Sequence, residues 1–161
     1  MPYALSASGG QPMKLIPANP NFEADTRASH QAQYLMRTMN MELIRIDAGE
    51  VDVELPFDLN LCESGGGLHG GTICSGLDTV CASAAASLTA AAESLLTAEL
   101  KVNFLRRRLG EKFRFEGRVV KPGRTLIFTE GKCWAITDGT EKLVATISAT
   151  MMVIGADKNG A

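Results

Sequence analysis

The sequence predicts an α+β domain in which a curved antiparallel sheet wraps one long, buried helix. Three observations carry that expectation. From about Gly70 to Ala92 the chain is rich in Ala, and Ile73, Leu77, Val80 and Ala84 fall on one stripe at offsets of four, three and four. The remaining faces of this segment hold Cys, Ser, Thr, Ala and Gly and a single charge, Asp78, so it is apolar or small nearly all round, the pattern of a helix enclosed by other structure. Beyond it the period falls to two, as expected of strands: Leu100, Val102 and Phe104 alternate with Glu99, Lys101 and Asn103, and Phe113 and Phe115 alternate with Lys112, Arg114 and Glu116.

The chain has 161 residues, 45% of them hydrophobic, with no composition break, so one domain is expected over 21–155, between an N-terminal arm (1–20) and a C-terminal tail (156–161). The arm holds Gly9, Gly10, Pro12, Pro17 and Pro20, and has neither the basic leader nor the apolar core of a secretory signal. From Phe22 to Met39, Ala28, Ala32, Leu35, Met36 and Met39 recur at helical spacing, with Asp25 or Thr26 as the cap. Met41–Ile46 and Val51–Leu55 read as a hairpin about Asp47-Ala48-Gly49-Glu50. Pro56–Gly67 is a loop ending in three glycines. After the long helix come about four strands. The last two span Thr125–Ile136 and Lys142–Ile154, and Pro122-Gly123 and Asp138-Gly139 supply turns. One sheet face is left for the helix to cover, and the other face and the edges favour self-association.

Composition narrows the function. A net charge of −2 with mixed signs argues against a general nucleic-acid binder, although Arg106, Arg107 and Arg108 form a local basic run. No apolar stretch reaches the roughly 20 residues of a membrane helix, so a soluble protein is expected. Cys62, Cys74, Cys81 and Cys133 form no CxxC pair, and His30 and His69 are the only histidines. No metal site can be written, and the cysteines read as reduced core thiols of a cytoplasmic protein.

Asp78 stands among Ile73, Leu77, Val80, Cys81 and four alanines. Burying an unpaired carboxylate is costly. Such a group either finds hydrogen-bond donors or titrates nearer neutrality, where general acid or base chemistry is useful; a solvated helix-face acid is the plainer alternative.

Gly65-Gly66-Gly67-Leu68-His69-Gly70-Gly71-Thr72, followed after five residues by Asp78-Thr79, resembles the hotdog-fold acyl-CoA thioesterases, in particular the phenylacetate-pathway type. The resemblance runs over roughly 31–154, and its anchor is the His-Gly-Gly with an acid nine residues beyond the His. Thr97–Arg107 is similar to the strand after the central helix of that family, and Lys121-Pro122-Gly123-Arg124-Thr125 to its Gly-basic-Thr turn.

The resemblance implies thioester hydrolysis. Gly70 and Gly71 would present backbone N–H groups to the oxyanion at the helix start, where the dipole favours negative charge. Asp78 would be general base on water, or nucleophile forming a mixed anhydride, and the sequence does not separate these. His69 is assigned to positioning rather than proton transfer, and Thr97 to holding the attacking water or, as the alternative, to an ordinary strand role. Glu63, six residues before His69, stands where relatives carry an Asn or Gln. Were it to share a site with Asp78, like-charge repulsion would raise one of the two pKa values; a solvated Glu63 is the alternative.

For the phosphates and adenosine end of coenzyme A, Arg106, Arg107, Arg108, Lys121 and Arg124 are candidates, and the resemblance favours the turn of Lys121, Gly123, Arg124 and Thr125, with Gly71 and Phe104 completing the binding set. Three consecutive arginines in a strand would point to alternate faces, leaving at least one for solubility or a subunit contact. Coenzyme A enters as part of the substrate, with no separate cofactor. Gly70 and Asp78 are implied to meet from different subunits, making a homodimer the minimal unit and a homotetramer plausible. Two other functions stay open: a non-catalytic acyl-CoA sensor or scaffold, and an acyl-thioester dehydratase or hydratase.

Overall fold

The computed structural model describes residues 15–155. Met1–Lys14, most of the expected arm, and the expected tail 156–161 lie outside them. The elements run α1 (Phe22–Ala32), α2 (Tyr34–Thr38), β1 (Glu42–Asp47), β2 (Glu50–Pro56), a 3₁₀ turn (Leu59–Leu61), α3 (Gly70–Ala86), β3 (Ser94–Phe104), β4 (Lys112–Lys121), β5 (Leu126–Thr137) and β6 (Thr140–Ile154). All six strands form one antiparallel sheet in the order β1-β2-β4-β5-β6-β3, with α3 laid across its concave face. The expected α+β architecture, a long helix wrapped by a curved sheet, is the one observed.

The chain order explains the sheet order. β2 pairs with β4, and α3 carries the chain from β2 across the sheet to its far edge, where β3 pairs only with β6. The remaining hairpins are local. Asp138 and Gly139 both have positive φ (49° and 72°), the tight turn whose twist matches its flanking strands. Alternation along β4 and β5 sends Phe113, Phe115, Ile127 and Cys133 inward against Ile73, Leu77, Val80 and Cys81 of α3. Two glycines let the helix sit this deep. A Cβ on Gly117 would lie 2.4 Å from the Val80 backbone, and one on Gly131 would lie 2.7 Å from the Glu116 carbonyl and 3.3 Å from Cys81 Sγ.

The N-terminal helix departs from expectation. It starts at Phe22 rather than after Asp25 or Thr26: Asn21 is the N-cap residue, while Asn19 accepts from the Asn21 N–H and donates to Asp25. It then breaks at Gln33, whose backbone is extended. The buried stripe of α1 is Thr26 and His30, and Ala28 and Ala32 face outward. A straight continuation of that stripe would bury Gln33 and Arg37; the break instead turns Met36 and Met39 into the core and leaves Leu35 exposed.

The long helix ends at Ala86, not Ala92. Ser87 Oγ donates to the Ala84 carbonyl and accepts from the Gly49 N–H, both at 2.7 Å, so the hydroxyl that closes the helix also fastens it to the β1–β2 turn. Within one chain α3 keeps one side open. Gly71 and Ala86 are exposed, and Cys74, Ser75, Asp78, Thr79, Ala82 and Ser83 are half-buried, one continuous stripe that this chain does not cover. The thiols divide the same way: Cys81 and Cys133 are core residues, whereas Cys62 and Cys74 are only half-buried. Among the described residues, no helix is long and apolar enough to cross a membrane.

Candidate active site

His69 is the N-cap of α3. Its backbone is extended, and its Nδ1 accepts from the Gly71 N–H at 2.9 Å. The accepting lone pair requires Nδ1 to be unprotonated, which leaves the ring proton on Nε2. The cap also corrects the expected pair of oxyanion donors, because the Gly71 N–H is already taken by the imidazole. Close approach explains the glycine: a Cβ there would lie 3.0 Å from His69 Nδ1. Neither the Gly70 nor the Thr72 N–H makes a hydrogen bond among the described residues; Thr72 is buried, so Gly70, which is half-buried, is the donor a substrate can reach at the helix start. The ring of Phe104 stands over it, with Cζ 3.3 Å from where a Gly70 Cβ would be.

The Leu68–His69 peptide unit is held at both ends. Its N–H donates to the Leu61 carbonyl at 2.9 Å, and its carbonyl accepts from Arg108 Nε at 2.8 Å. Thr72 Oγ1 donates to the same Leu61 carbonyl at 3.1 Å, tying the first turn of α3 to the 3₁₀ turn. The glycine loop folds back through Glu63 N–H to Gly67 O and Gly66 N–H to Glu63 O, with Gly66 at φ 76°.

Asp78 is half-buried on the open stripe of α3 and accepts from Thr97 Oγ1 of β3 at 2.8 Å. The donor anticipated for an acid in apolar surroundings is therefore Thr97. Ala98 is bulged out of the β3–β6 register immediately after it. Gly70 and Asp78 are eight residues apart on one helix, about 12 Å along its axis at the helical rise. A carbonyl resting on one chain's Gly70 is thus out of reach of that chain's Asp78.

Within one chain Glu63 and Asp78 are not brought together. Glu63 is exposed and forms an ion pair with Arg108 at 2.7 Å. The arginine run follows the end of β3 rather than lying in a strand, so the expected alternation of faces does not apply: Arg106 and Arg107 are exposed, while the Arg108 side chain is only 18% exposed. Sequence reasoning placed Arg108 among the phosphate ligands and missed its internal contacts, since Leu68 and Glu63 lie 40 and 45 residues away.

The Lys121–Thr125 turn sits at the other end of α3. Pro122, Gly123 and Arg124 border a hollow of about 340 Å³ with Leu88, Thr89, Glu93, Ile127 and Val153. Thr125 is pinned through its carbonyl to the Val153 N–H at 2.8 Å, while the Lys121 and Arg124 side chains are exposed. Arg106 and this turn therefore lie at opposite ends of the helix within one chain. Among the described residues no group of three or more His, Cys, Asp or Glu side chains is placed to hold a metal ion.

A six-stranded antiparallel sheet wrapped around one long helix is the hotdog architecture of thioesterases. The thioesterase superfamily family model matches residues 65–142, from the glycine loop into β6. A Saccharolobus solfataricus protein bearing an esterase name is 33% identical over 100 residues, which are 62% of this chain and 71% of the relative. The crystal structure of a thioesterase family protein from Silicibacter pomeroyi is 37% identical, covers 83% of this chain and 98% of its own, and superposes with a TM-score of 0.82. The PaaI protein of the E. coli phenylacetic acid degradation operon shares the fold, with a TM-score of 0.74 at 17% identity over 84% of this chain and 94% of its own. The chain belongs to the thioesterase superfamily.

Proposed function

We propose that this protein hydrolyses acyl-CoA thioesters at sites shared between two copies of the chain. The observation that carries the reading is the spacing on α3: Gly70 with its unengaged N–H, and the Thr97-bound Asp78 about 12 Å away. An oxyanion donor and a base at that separation serve one carbonyl only when a second copy supplies one of them. The uncovered stripe of α3 and the exposed apolar side chains Leu100 and Phe104 on the β3 edge support such a partner.

In the shared site the thioester oxygen rests on the Gly70 N–H of one chain, and a preorganised donor of this kind is worth about 3 kcal/mol of barrier. Asp78 of the other chain either takes a proton from water as the water oxygen attacks the carbonyl carbon, or attacks that carbon itself to give a mixed anhydride that water then opens. In both routes the C–S bond breaks, the electron pair leaves on sulfur, and the thiolate of coenzyme A is protonated. Thr97 orients the Asp78 carboxylate and, through its oxygen lone pairs, a water beside it. His69 positions the helix start. Lys121 and Arg124, with Gly123 and Thr125, take the coenzyme A phosphates, and Arg106, Gly71 and Phe104 line the path of the thioester arm.

Water is the only co-substrate this chemistry needs, so no resident cofactor or metal is required. The homodimer is the minimal unit, with a homotetramer as the full assembly of a cytoplasmic enzyme whose working domain is 21–155. The test is hydrolysis of short, medium, aromatic and hydroxyaromatic acyl-CoAs by wild type and Asp78→Asn. Turnover that disappears with Asp78 is the expected result, and turnover unchanged by the substitution sinks the mechanism. Acyl-CoA binding without turnover favours the sensor or scaffold, and water addition to or loss from the acyl chain favours the hydratase or dehydratase. Single turnover in ¹⁸O-water marks the anhydride when label enters Asp78; label confined to the acid product is common to the base route and to an anhydride opened at its acyl carbon, and borohydride trapping of the aspartyl anhydride separates those two.

A further inference from the structure

Behind β3 the chain returns over the start of α3 and pins it through one residue. Arg108 Nε donates to the Leu68 carbonyl at 2.8 Å, and Arg108 Nη2 donates to Glu63 Oε2 at 2.7 Å. Its guanidinium carbon lies 5.3 Å from the centroid of the Phe104 ring, and its own carbonyl accepts from the Leu68 N–H at 2.8 Å. The fit against the glycine loop is tight: a Cβ on Gly67 would lie 3.3 Å from both the Arg108 carbonyl and Glu63 Oε1.

These contacts converge on Gly70 by two paths. Along the backbone, Arg108 holds the oxygen of the Leu68–His69 peptide while Leu61 holds its N–H, and the Ile73 N–H donates to the His69 carbonyl at 3.2 Å, so with the plane before it clamped and its own oxygen held, the His69–Gly70 peptide keeps the direction of the Gly70 N–H. Through the side chains, the guanidinium faces Phe104, and Phe104 covers Gly70 at van der Waals distance. The planar fork suits the task, since Nε and Nη2 reach two acceptors at fixed angles while the face stays free for the ring. Glu63, which is 46% exposed at its side chain, is the anchor of the fork.

We infer that Arg108, anchored by Glu63, is a positioning residue for the oxyanion donor: it aims the Gly70 N–H and seats Phe104 above it. The inference rests on the thioesterase reading and assigns Glu63 a structural charge rather than an acid or base role. It is distinct from phosphate binding, which would act on coenzyme A affinity rather than on the carbonyl.

The experiment is steady-state kinetics of wild type, Arg108→Met, Arg108→Lys, Glu63→Gln and Glu63→Ala/Arg108→Met on the best acyl-CoA, with circular dichroism and solution mass as folding controls. Arg108→Met is expected to lose about ten- to a hundredfold in kcat, with KM changed by less than about twofold. Arg108→Lys is expected to recover part of that loss, and the double variant to fall no further than Arg108→Met alone. Glu63→Gln, which keeps an acceptor for the fork, is expected to lose less and to keep the shape of the wild-type pH profile. Should Arg108→Met fail to fold, Arg108→Lys and Glu63→Gln carry the test, through kcat and the pH profile. An unchanged kcat, or a rise in KM alone, overturns the inference while leaving the thioesterase reading intact, the latter outcome assigning Arg108 to coenzyme A. A folded wild type inert towards every thioester overturns both.

Discussion

Thr97 Oγ1 donates to Asp78 Oδ1 at 2.8 Å, joining the edge strand β3 to the middle of α3 through a single hydroxyl. Among the described residues the one other acceptor within its reach is the Met151 sulfur at 3.5 Å, a weak one, so the proton is committed to the carboxylate. Asp78→Asn is expected to lower kcat by at least about a hundredfold, the usual scale for a positioned base. Thr97→Ala is expected to lose about tenfold and Thr97→Ser to keep most activity, because serine preserves the donor. Equal kinetics for the Ala and Ser variants would remove the hydroxyl from the mechanism.

Gly70 and Gly71 fail differently when a methyl is added. At Gly70 the methyl meets Phe104 Cζ at 3.3 Å and displaces the wall of the carbonyl site, so Gly70→Ala is expected to cost about a hundredfold in kcat with little change in melting temperature. At Gly71 it meets His69 Nδ1 at 3.0 Å and disturbs the cap, so Gly71→Ala is expected to lose about 1 kcal/mol of stability. Thermal melts beside kinetics separate the two, and matching profiles would refute the division of labour.

Gly117→Ala should be among the most damaging changes in the sheet. The new Cβ would lie 2.4 Å from the Val80 carbonyl carbon and oxygen, and backbone cannot rotate away as a side chain can. Overpacking of this kind costs about 3 kcal/mol. Urea unfolding should show a lowered midpoint with an unchanged slope; a midpoint within error of wild type would mean that α3 shifts without penalty.

Burial raises the Cys81 thiol pKa to about 12. Between its ordinary value of 9.0 and that figure, the folded chain holds a proton that the unfolded chain has lost, so stability is present below pH 9 and falls as pH rises through that window. Melting temperature is expected to drop between pH 8.5 and 10.5, by less in Cys81→Ala, with the comparison at pH 7 supplying the packing cost. Thiol titration of the native protein at pH 8 should reach at most Cys62 and Cys74 promptly, and all four cysteines in denaturant. Rapid reaction of all four in the native state would contradict the burial of Cys81 and Cys133.

Leu100 faces the concave side of β3 beyond the cover of its own helix and is 42% exposed. Leu100→Lys is expected to move the solution mass to that of one chain of 17.2 kDa and to abolish turnover together with assembly. A monomeric wild type with full activity would sink the shared site.

Local signals carried most of the fold. The strands were legible because a half-covered sheet forces alternation, as in Phe113 and Phe115, and the start of α3 was legible because an N-cap and its glycines are neighbours in sequence. The break at Gln33 was not, since helical spacing continues through it and only the competition between burying Arg37 and burying Met36 decides the outcome. Which structure encloses the open stripe of α3 was not legible, because Ala, Ser and Cys suit a sheet and a second chain equally. Within the site, the acid and its helix were legible. The Thr97 contact was anticipated only as a family position, and the Arg108 clamp rests on contacts 40 to 45 residues apart that no periodicity reports.

Carrying Gly70 and Asp78 on one rigid rod has a consequence for dosage. On the shared-site reading each chain holds two unmatched halves, so specific activity collapses on dilution below the point where copies meet, and abundance itself becomes a throttle. Mixed assemblies would show it directly. A chain lacking Asp78 combined with one lacking the Gly70 donor would restore one of the two centres from two dead parents, the arithmetic of intragenic complementation.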